Sequence, residues 1–247
     1  MPRIPDILTA KNLLVVQPHY DDADIGAAGT LARLHAAGAR ITYVTVTDDL
    51  VGVSDPTLSD EEARKRLVAE QWEAGAIVGV EDQVALGYPD AGRYDYFDVR
   101  RDIIREIRRV RPDFVLVCDP WLSYEAHRDH IQCGLVVAEA VTLYGLMRLK
   151  ADPAVDAAYT PHEVKAVVFY FTSAPNTFVG IDEQREIKHR AIACYRTQLS
   201  DKAVERINNA LDARAKRYAK DRDCDYAEAF KVLRPGMLHV NVDAATM

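Results

Sequence analysis

The sequence predicts an α/β protein: a doubly wound, mostly parallel sheet with helices on both of its faces. Two observations carry this expectation. Apolar runs of strand length at residues 13–16 and 114–118 show no alternation, as strands covered on both faces require. Stretches with helical spacing separate these runs, and strands alternating with helices of that length build parallel sheets. The 247 residues, 49% hydrophobic and 28% charged, suit one domain spanning 1–247 that buries about 70–75% of its unfolded surface.

The elements follow in order. After Leu13-Leu14-Val15-Val16 the period changes at Asp22: Ile25, Leu31 and Leu34 recur at helical spacing, and Gly26, Ala27, Ala28 and Gly29 keep that helix thin. Residues 40–47 alternate and are β-branched, which marks a second strand ending at Asp48-Asp49. Residues 50–56 form a loop, and Ser59 or Asp60 caps a helix that runs to about residue 78 and stops at Gly79. A short strand at 84–86 leads into the turn-rich loop 87–92. Residues 98–111 read as a helix with Ile103, Ile104 and Ile107 inward and its arginine run, 105–111, on a solvated face. The strand at 114–118 ends at Asp119-Pro120. A long apolar helix at 127–147, a strand at 164–171 and helices at 182–195 and 202–220 complete the chain, with 150–161 as an excursion.

Charge and composition narrow the function. With 31 basic and 38 acidic residues the net charge is -7, which speaks against a nucleic-acid or anionic-membrane partner. No apolar run approaches the roughly 20 residues of a membrane span, and the start of the chain lacks a signal pattern; the expected location is the cytoplasm. The four cysteines, Cys118, Cys133, Cys194 and Cys224, form no Cys-x-x-Cys pair and read as structural. The apolar residues of the 127–147 helix, among them Leu135, Val136, Val137, Val141, Leu143 and Leu146, suggest a homo-oligomer.

Chemistry concentrates in two places. His19, Asp21, Asp22 and Asp24 stand where the first strand enters its helix, at the edge where ligands bind in parallel sheets. His127, Arg128, Asp129 and His130 open the helix that follows the fourth strand. Those two strand ends can lie side by side, so His19, Asp22 and His130 can form a two-imidazole, one-carboxylate site, which suits Zn²⁺ with an open position for water. Asp21 is then a carboxylate beside that water and His127 an imidazole beside the substrate. Read singly, Asp22 also serves as an ordinary helix cap. Asp48 or Asp49, with Arg64 or Arg66, are candidate substrate contacts. The loop containing Tyr88, Asp90, Arg93, Tyr94 and Tyr96 suits carbohydrate or a subunit contact. His35, His162, His189 and His239 read as structural or exposed.

Pro18-His19-Tyr20-Asp21-Asp22-Ala23-Asp24 resembles the Pro-His-Pro-Asp-Asp-x-Glu motif of the LmbE-like, or PIG-L, de-N-acetylases, and His127-Arg128-Asp129-His130 with Gly134 resembles their His-x-Asp-His motif. The likeness continues through Glu70, Ala74 and Gly79, through Arg111-Pro112-Asp113, and to Lys188 and Gln198. It implies a Rossmann-like fold, a zinc cofactor and removal of acetyl from an N-acetylated amino sugar of the N-acetylglucosamine type. It also implies His19, Asp22 and His130 as metal ligands, Asp21 as general base, His127 as second catalytic histidine and Asp129 as its companion. Tyr20 replaces the motif's proline, which places a new side chain on the pocket wall beside the substrate, and Asp24 replaces its glutamate. Two rival readings use the same residues: a related zinc amidase or esterase, and a nucleotide-binding module built on the glycine-containing helix start. The latter lacks the Gly-x-Gly-x-x-Gly order, and its acidic neighbours would repel a pyrophosphate.

Overall fold

Strands form where the sequence is apolar without interruption. In the computed structural model, which describes residues 4–247, β1 (Asn12–Gln17) and β2 (Arg40–Thr47) are buried after their first residues. β4 (Phe114–Cys118) and β5 (Ala166–Tyr170) are buried throughout. β3 (Asp82–Tyr88), at one edge, alternates between exposed and half-buried residues after its first three. The first three residues of the expected 1–247 span lie outside the described residues.

Seven strands form the sheet in the order β3-β2-β1-β4-β5-β7-β6, where β6 is Thr177–Gly180 and β7 is Ala227–Leu233. β1 pairs in parallel with β2 on one side and with β4 on the other. The chain therefore winds outward from β1 to β3, then returns to start the second half at β4. That reversal opens a crevice beyond the carboxyl ends of β1 and β4. β4 and β5 are also parallel, whereas β7 runs antiparallel to both β5 and β6.

The helices form two packing groups. α1 (Asp22–Ala36), α2 (Asp60–Val78) and α6 (Arg185–Ile192) touch one another. α3 (Tyr96–Val110) packs on α4 (Arg128–Leu143) and on α5 (Pro153–Ala158). α7 (Asp201–Ala219) covers β7 and β6. Ser59 caps α2 by accepting from the Glu62 N–H, and Gly79 ends it at φ +97°, as the residue types predicted. Gly26 is required by contact: a Cβ there would lie 2.5 Å from the Tyr170 ring, so α1 can sit close over β5 only without one.

Several elements differ from the sequence expectation. α4 stops at Leu143, four residues short of the expected 147, and Tyr144 turns its hydroxyl to the His162 carbonyl. The 150–161 stretch contains α5, started by Pro153 with the Asp152 side chain accepting from the N–H groups of Ala154 and Val155. Arg108 leaves the solvated face assigned to its run: its guanidinium is fully buried, 2.5 Å from Asp156, and donates to the Tyr144 and Leu146 carbonyls. Val136, Val137 and Val141 of α4 are buried in the chain's own core, while Leu146 is exposed. Among the described residues, no helix is long and apolar enough to cross a membrane.

Candidate metal centre

The turn after β1 is fixed before its chemistry begins. The Gln17 carboxamide accepts from the Ala23 N–H at 2.8 Å and donates to Thr45, and the Pro18 carbonyl accepts from Thr47 N–H and hydroxyl. His19 is thereby held at the sheet edge and Asp22 in the first turn of α1. Asp22 does not serve as that helix's cap. Its Oδ2 accepts from the His19 N–H at 3.0 Å and lies 3.1 Å from His19 Nδ1, while its Oδ1 lies 3.3 Å from His130 Nε2.

The second half of the site comes from α4. A Cβ on Gly134 would lie 2.7 Å from the Cys118 carbonyl oxygen, so the missing side chain lets α4 press against the end of β4. His127 is the N-cap residue of α4, and Asp129 and His130 occupy its first turn. The rings of His19, His127 and His130 form a triangle with centroid separations of 4.7, 5.0 and 5.3 Å. Phe171 stacks on the outer side of His130 at 6.4 Å.

Carboxylates surround these rings. Asp129 is buried, with Oδ1 accepting from the Tyr94 hydroxyl and Oδ2 from the Ala91 N–H, both at 2.8 Å. Its Oδ2 lies 3.6 Å from His19 Nε2 and 4.0 Å from His127 Nδ1. Asp90, from the loop after β3, brings Oδ1 to 3.3 Å from His19 Nε2. That buried nitrogen nevertheless makes no hydrogen bond. An orphaned imidazole nitrogen facing carboxylate oxygens, with two further imidazoles alongside, is a donor set that a divalent metal completes. Ligand atoms of His19, His127 and His130 lie within 4.8 Å of one another, as do those of His19, Asp90, His127 and Asp129.

The protonation tendencies follow from this crowding. Burial lowers the His19 pKa, but the close carboxylates of Asp129, Asp22 and Asp90 outweigh it and raise the pKa far above the usual histidine value. For Asp22, burial is overcome by the His19 hydrogen bond and the His130 charge, and its pKa falls. Asp129 is pulled down to about 2, against its burial, by His19, the Ala91 N–H and Tyr94. Asp21 differs. Burial raises its pKa well above the usual range, and the neighbouring Asp22 and Asp49 charges add to that. Its side chain caps nothing and accepts no hydrogen bond from another described residue.

The residues expected at the substrate divide. Asp48 lies 3.0 Å from Arg64 Nη2, and its other oxygen accepts from the Asp90 N–H. Arg66, two positions along α2, points away and pairs with Glu62 at 3.2 Å. Asp49 is buried, accepting from the Tyr20 N–H and the Gln198 amide, and burial pushes its pKa up to about 7. The Tyr20 ring is buried, and burial, then Asp49 and Asp48, raise its hydroxyl pKa to about 12. Glu125 was not foreseen. It precedes the His127 motif by two residues, and its oxygens reach the His127 N–H at 2.7 Å and His130 Nδ1 at 3.5 Å. The placement of Asp90 beside His19 was also unforeseen, although its position after the third strand, at the same sheet edge, was a usable signal.

With that geometry, the likenesses to known proteins agree. Residues 14–141 match the PIG-L family, described as GlcNAc-PI de-N-acetylase. Diacetylchitobiose deacetylase of Thermococcus kodakarensis is 34% identical over 93% of this chain and 86% of its own length. A 1D-myo-inositol 2-acetamido-2-deoxy-alpha-D-glucopyranoside deacetylase of Streptomyces griseus is 31% identical over 70% of this chain, which spans 64% of that enzyme. The structure of N,N'-diacetylchitobiose deacetylase from Pyrococcus horikoshii, solved with its inhibitor MPG, superposes with a TM-score of 0.87 at 30% identity, covering 97% of this chain and 90% of that one. The chain belongs to the PIG-L family of de-N-acetylases.

Proposed function

We propose that this chain is a zinc-dependent hydrolase that removes the acetyl group from an N-acetylglucosamine-type sugar or conjugate. The observation that carries the reading is the meeting of His19, Asp22 and His130, delivered by two different strand ends, with Asp22 between His19 Nδ1 and His130 Nε2 and the buried His19 Nε2 left without a hydrogen bond. The relatives from Thermococcus and Streptomyces support the substrate class, since both are named for acetylated glucosamine units.

His19, Asp22 and His130 are assigned as the zinc ligands, two nitrogens and one oxygen that leave a position open. A zinc ion held there would supply Lewis-acid activation of water near neutral pH and of the acetyl carbonyl. Asp21 takes the proton from water as the oxygen attacks the carbonyl carbon. Its free carboxylate and raised proton affinity suit a base. The C–N bond then breaks with a proton delivered to the departing amine by the His127 imidazolium. That ring is accessible, its side chain 44% exposed, and Asp129 lies on its Nδ1 side. Asp129, anchored by Tyr94 and Ala91, holds the ring's orientation and stabilises its charge. Asp48, its partner Arg64 and Tyr20 are assigned to the sugar, although the Tyr20 ring is buried. Arg66 is not, because Glu62 engages it.

Mass-spectrometric detection of acetyl loss across N-acetylglucosamine conjugates, with zinc-loaded and chelator-treated protein, tests the reading. The expected result is zinc-dependent release of acetate from at least one conjugate. Zinc-loaded protein that leaves the whole panel acetylated overturns it.

A further inference from the structure

Glu125 contacts both ends of the His127–His130 motif. One of its oxygens accepts the His127 N–H at 2.7 Å, at the start of α4, and the other lies 3.5 Å from His130 Nδ1. On its far side, His130 turns Nε2 toward Asp22 Oδ1 at 3.3 Å. The ring is thus held between two carboxylates, one at each nitrogen. For Nε2 to offer a lone pair to a metal, the ring proton must sit on Nδ1, which is the nitrogen facing Glu125. A carboxylate there accepts that proton in a hydrogen bond, fixes the tautomer and raises the basicity of Nε2.

The backbone is bent to make this contact. Tyr124 adopts φ +68°, a left-handed conformation uncommon for a bulky aromatic residue, with its side chain fully exposed. Nothing about that side chain accounts for the conformation. It directs the next residue, Glu125, whose N–H bonds the Leu122 carbonyl, back over the first turn of α4. Strain held by surrounding contacts is a feature of functional sites. The Phe171 ring stacked on His130 at an interplanar angle of 9° closes the remaining freedom of the imidazole.

From these contacts we infer that Glu125 is a positioning residue: its two oxygens bind α4 and His130 together, and thereby set which nitrogen of His130 faces the metal position. The inference rests on the proposed role of His130 and goes beyond it. Both Glu125 oxygens must accept, one from a backbone N–H and one from a ring N–H. Glutamine offers a single acceptor, so Glu125→Gln keeps size and either bond, never both.

The test compares wild type, Glu125→Gln and Glu125→Asp. Zinc affinity is read by chelator competition, folding by thermal melting, and the His130 tautomer by nitrogen-15 NMR of the protein without added metal. Because Asp22 also accepts at Nε2 in the metal-free protein, the expected result is a larger Nδ1–H population at His130 in wild type than in Glu125→Gln. That variant should also bind zinc roughly 10–100-fold more weakly with a nearly unchanged melting temperature. Glu125→Asp, with two acceptors, should recover part of the affinity. A purely helix-capping role predicts full rescue by glutamine, and wild-type zinc affinity in Glu125→Gln overturns the inference. So does an Nδ1–H population at His130 that is the same in wild type and Glu125→Gln. The NMR arm needs neither zinc nor turnover. A protein with the Nδ1–H tautomer that binds no zinc would sink the proposed function and leave the positioning role standing.

Discussion

Asp21→Asn should yield a protein that keeps its zinc and loses nearly all turnover. Asparagine matches aspartate in size, and the Asp21 side chain accepts no hydrogen bond from another described residue, so the fold loses no contact. It does lose the proton acceptor, usually worth roughly 10²–10⁴-fold in kcat, or about 3–5 kcal/mol of barrier. Stability should move the other way. Burial and the Asp22 and Asp49 charges raise the Asp21 pKa in the folded protein. An acid raised in this way costs the folded state stability as pH climbs through the folded value. The variant escapes that cost, so it should melt higher than wild type at neutral pH, and the gap should close in acid. Asp22→Asn is the control, because that carboxylate spans His19 and His130. Losing it should weaken zinc binding by more than the roughly 100-fold limit of an outer contact. Zinc content after dialysis, measured beside acetate release, separates the two. If Asp21→Asn loses the metal while Asp22→Asn stays loaded and slow, the two roles are exchanged.

Other expectations are more direct. His130→Ala should strip zinc on dialysis yet retain the circular-dichroism spectrum of wild type, since the ring lies at the sheet edge; full zinc occupancy would remove His130 from the ligand set. Arg108→Ala leaves the half-buried Asp156 without its partner and frees two carbonyls. The loss should be about 3–5 kcal/mol, a fall in melting temperature of roughly 10 °C for a chain of this size, and an unchanged melt would discard the buried-pair account. Asp24 is buried between the Tyr43 and Tyr195 hydroxyls, and burial lifts its pKa to about 6 from 3.8. Its ionisation should therefore cost wild type roughly 2 kcal/mol relative to Asp24→Asn as pH rises from 4 to 7. A stability difference that stays flat across that range contradicts this.

The centre of the fold was legible because burial on both faces leaves an unmistakable residue pattern. Leu13–Val16 and Phe114–Cys118 have no polar position to disguise them, and β1 and β4 are the strands that carry the two histidine motifs. β7 was not legible for the opposite reason. Its Glu228 and Lys231 interrupt the apolar run, yet both are buried. Glu228 accepts from Lys188 and from the Gly29 and Thr30 N–H groups of α1, and Lys231 donates to the Ala245 and Met247 carbonyls. Arg108 misled in the same way, since nothing local announces that Asp156, far along the chain, supplies its partner. In the site, His19, Asp22 and His130 could be placed by strand order. Glu125 and the Asp90–His19 contact depend on loop conformations, Tyr124 at φ +68° among them, that hydrophobic periodicity does not encode.

The pairing of β1 with β4 has a kinetic consequence. His19 and His130 stand more than a hundred residues apart in sequence, and they meet only once those strands are in register. Neither an early folding nucleus made of local helices nor the unfolded chain contains the assembled metal set. Closing so long a loop must come before the ion can reward it. A metal held there would therefore bind only after that loop has closed. It would leave the folding rate nearly untouched, deepen the native well by RT ln(1 + [M]/Kd) and slow unfolding by most of that amount. Persistence of a loaded protein against heat or protease would then depend on metal supply as well as on the core.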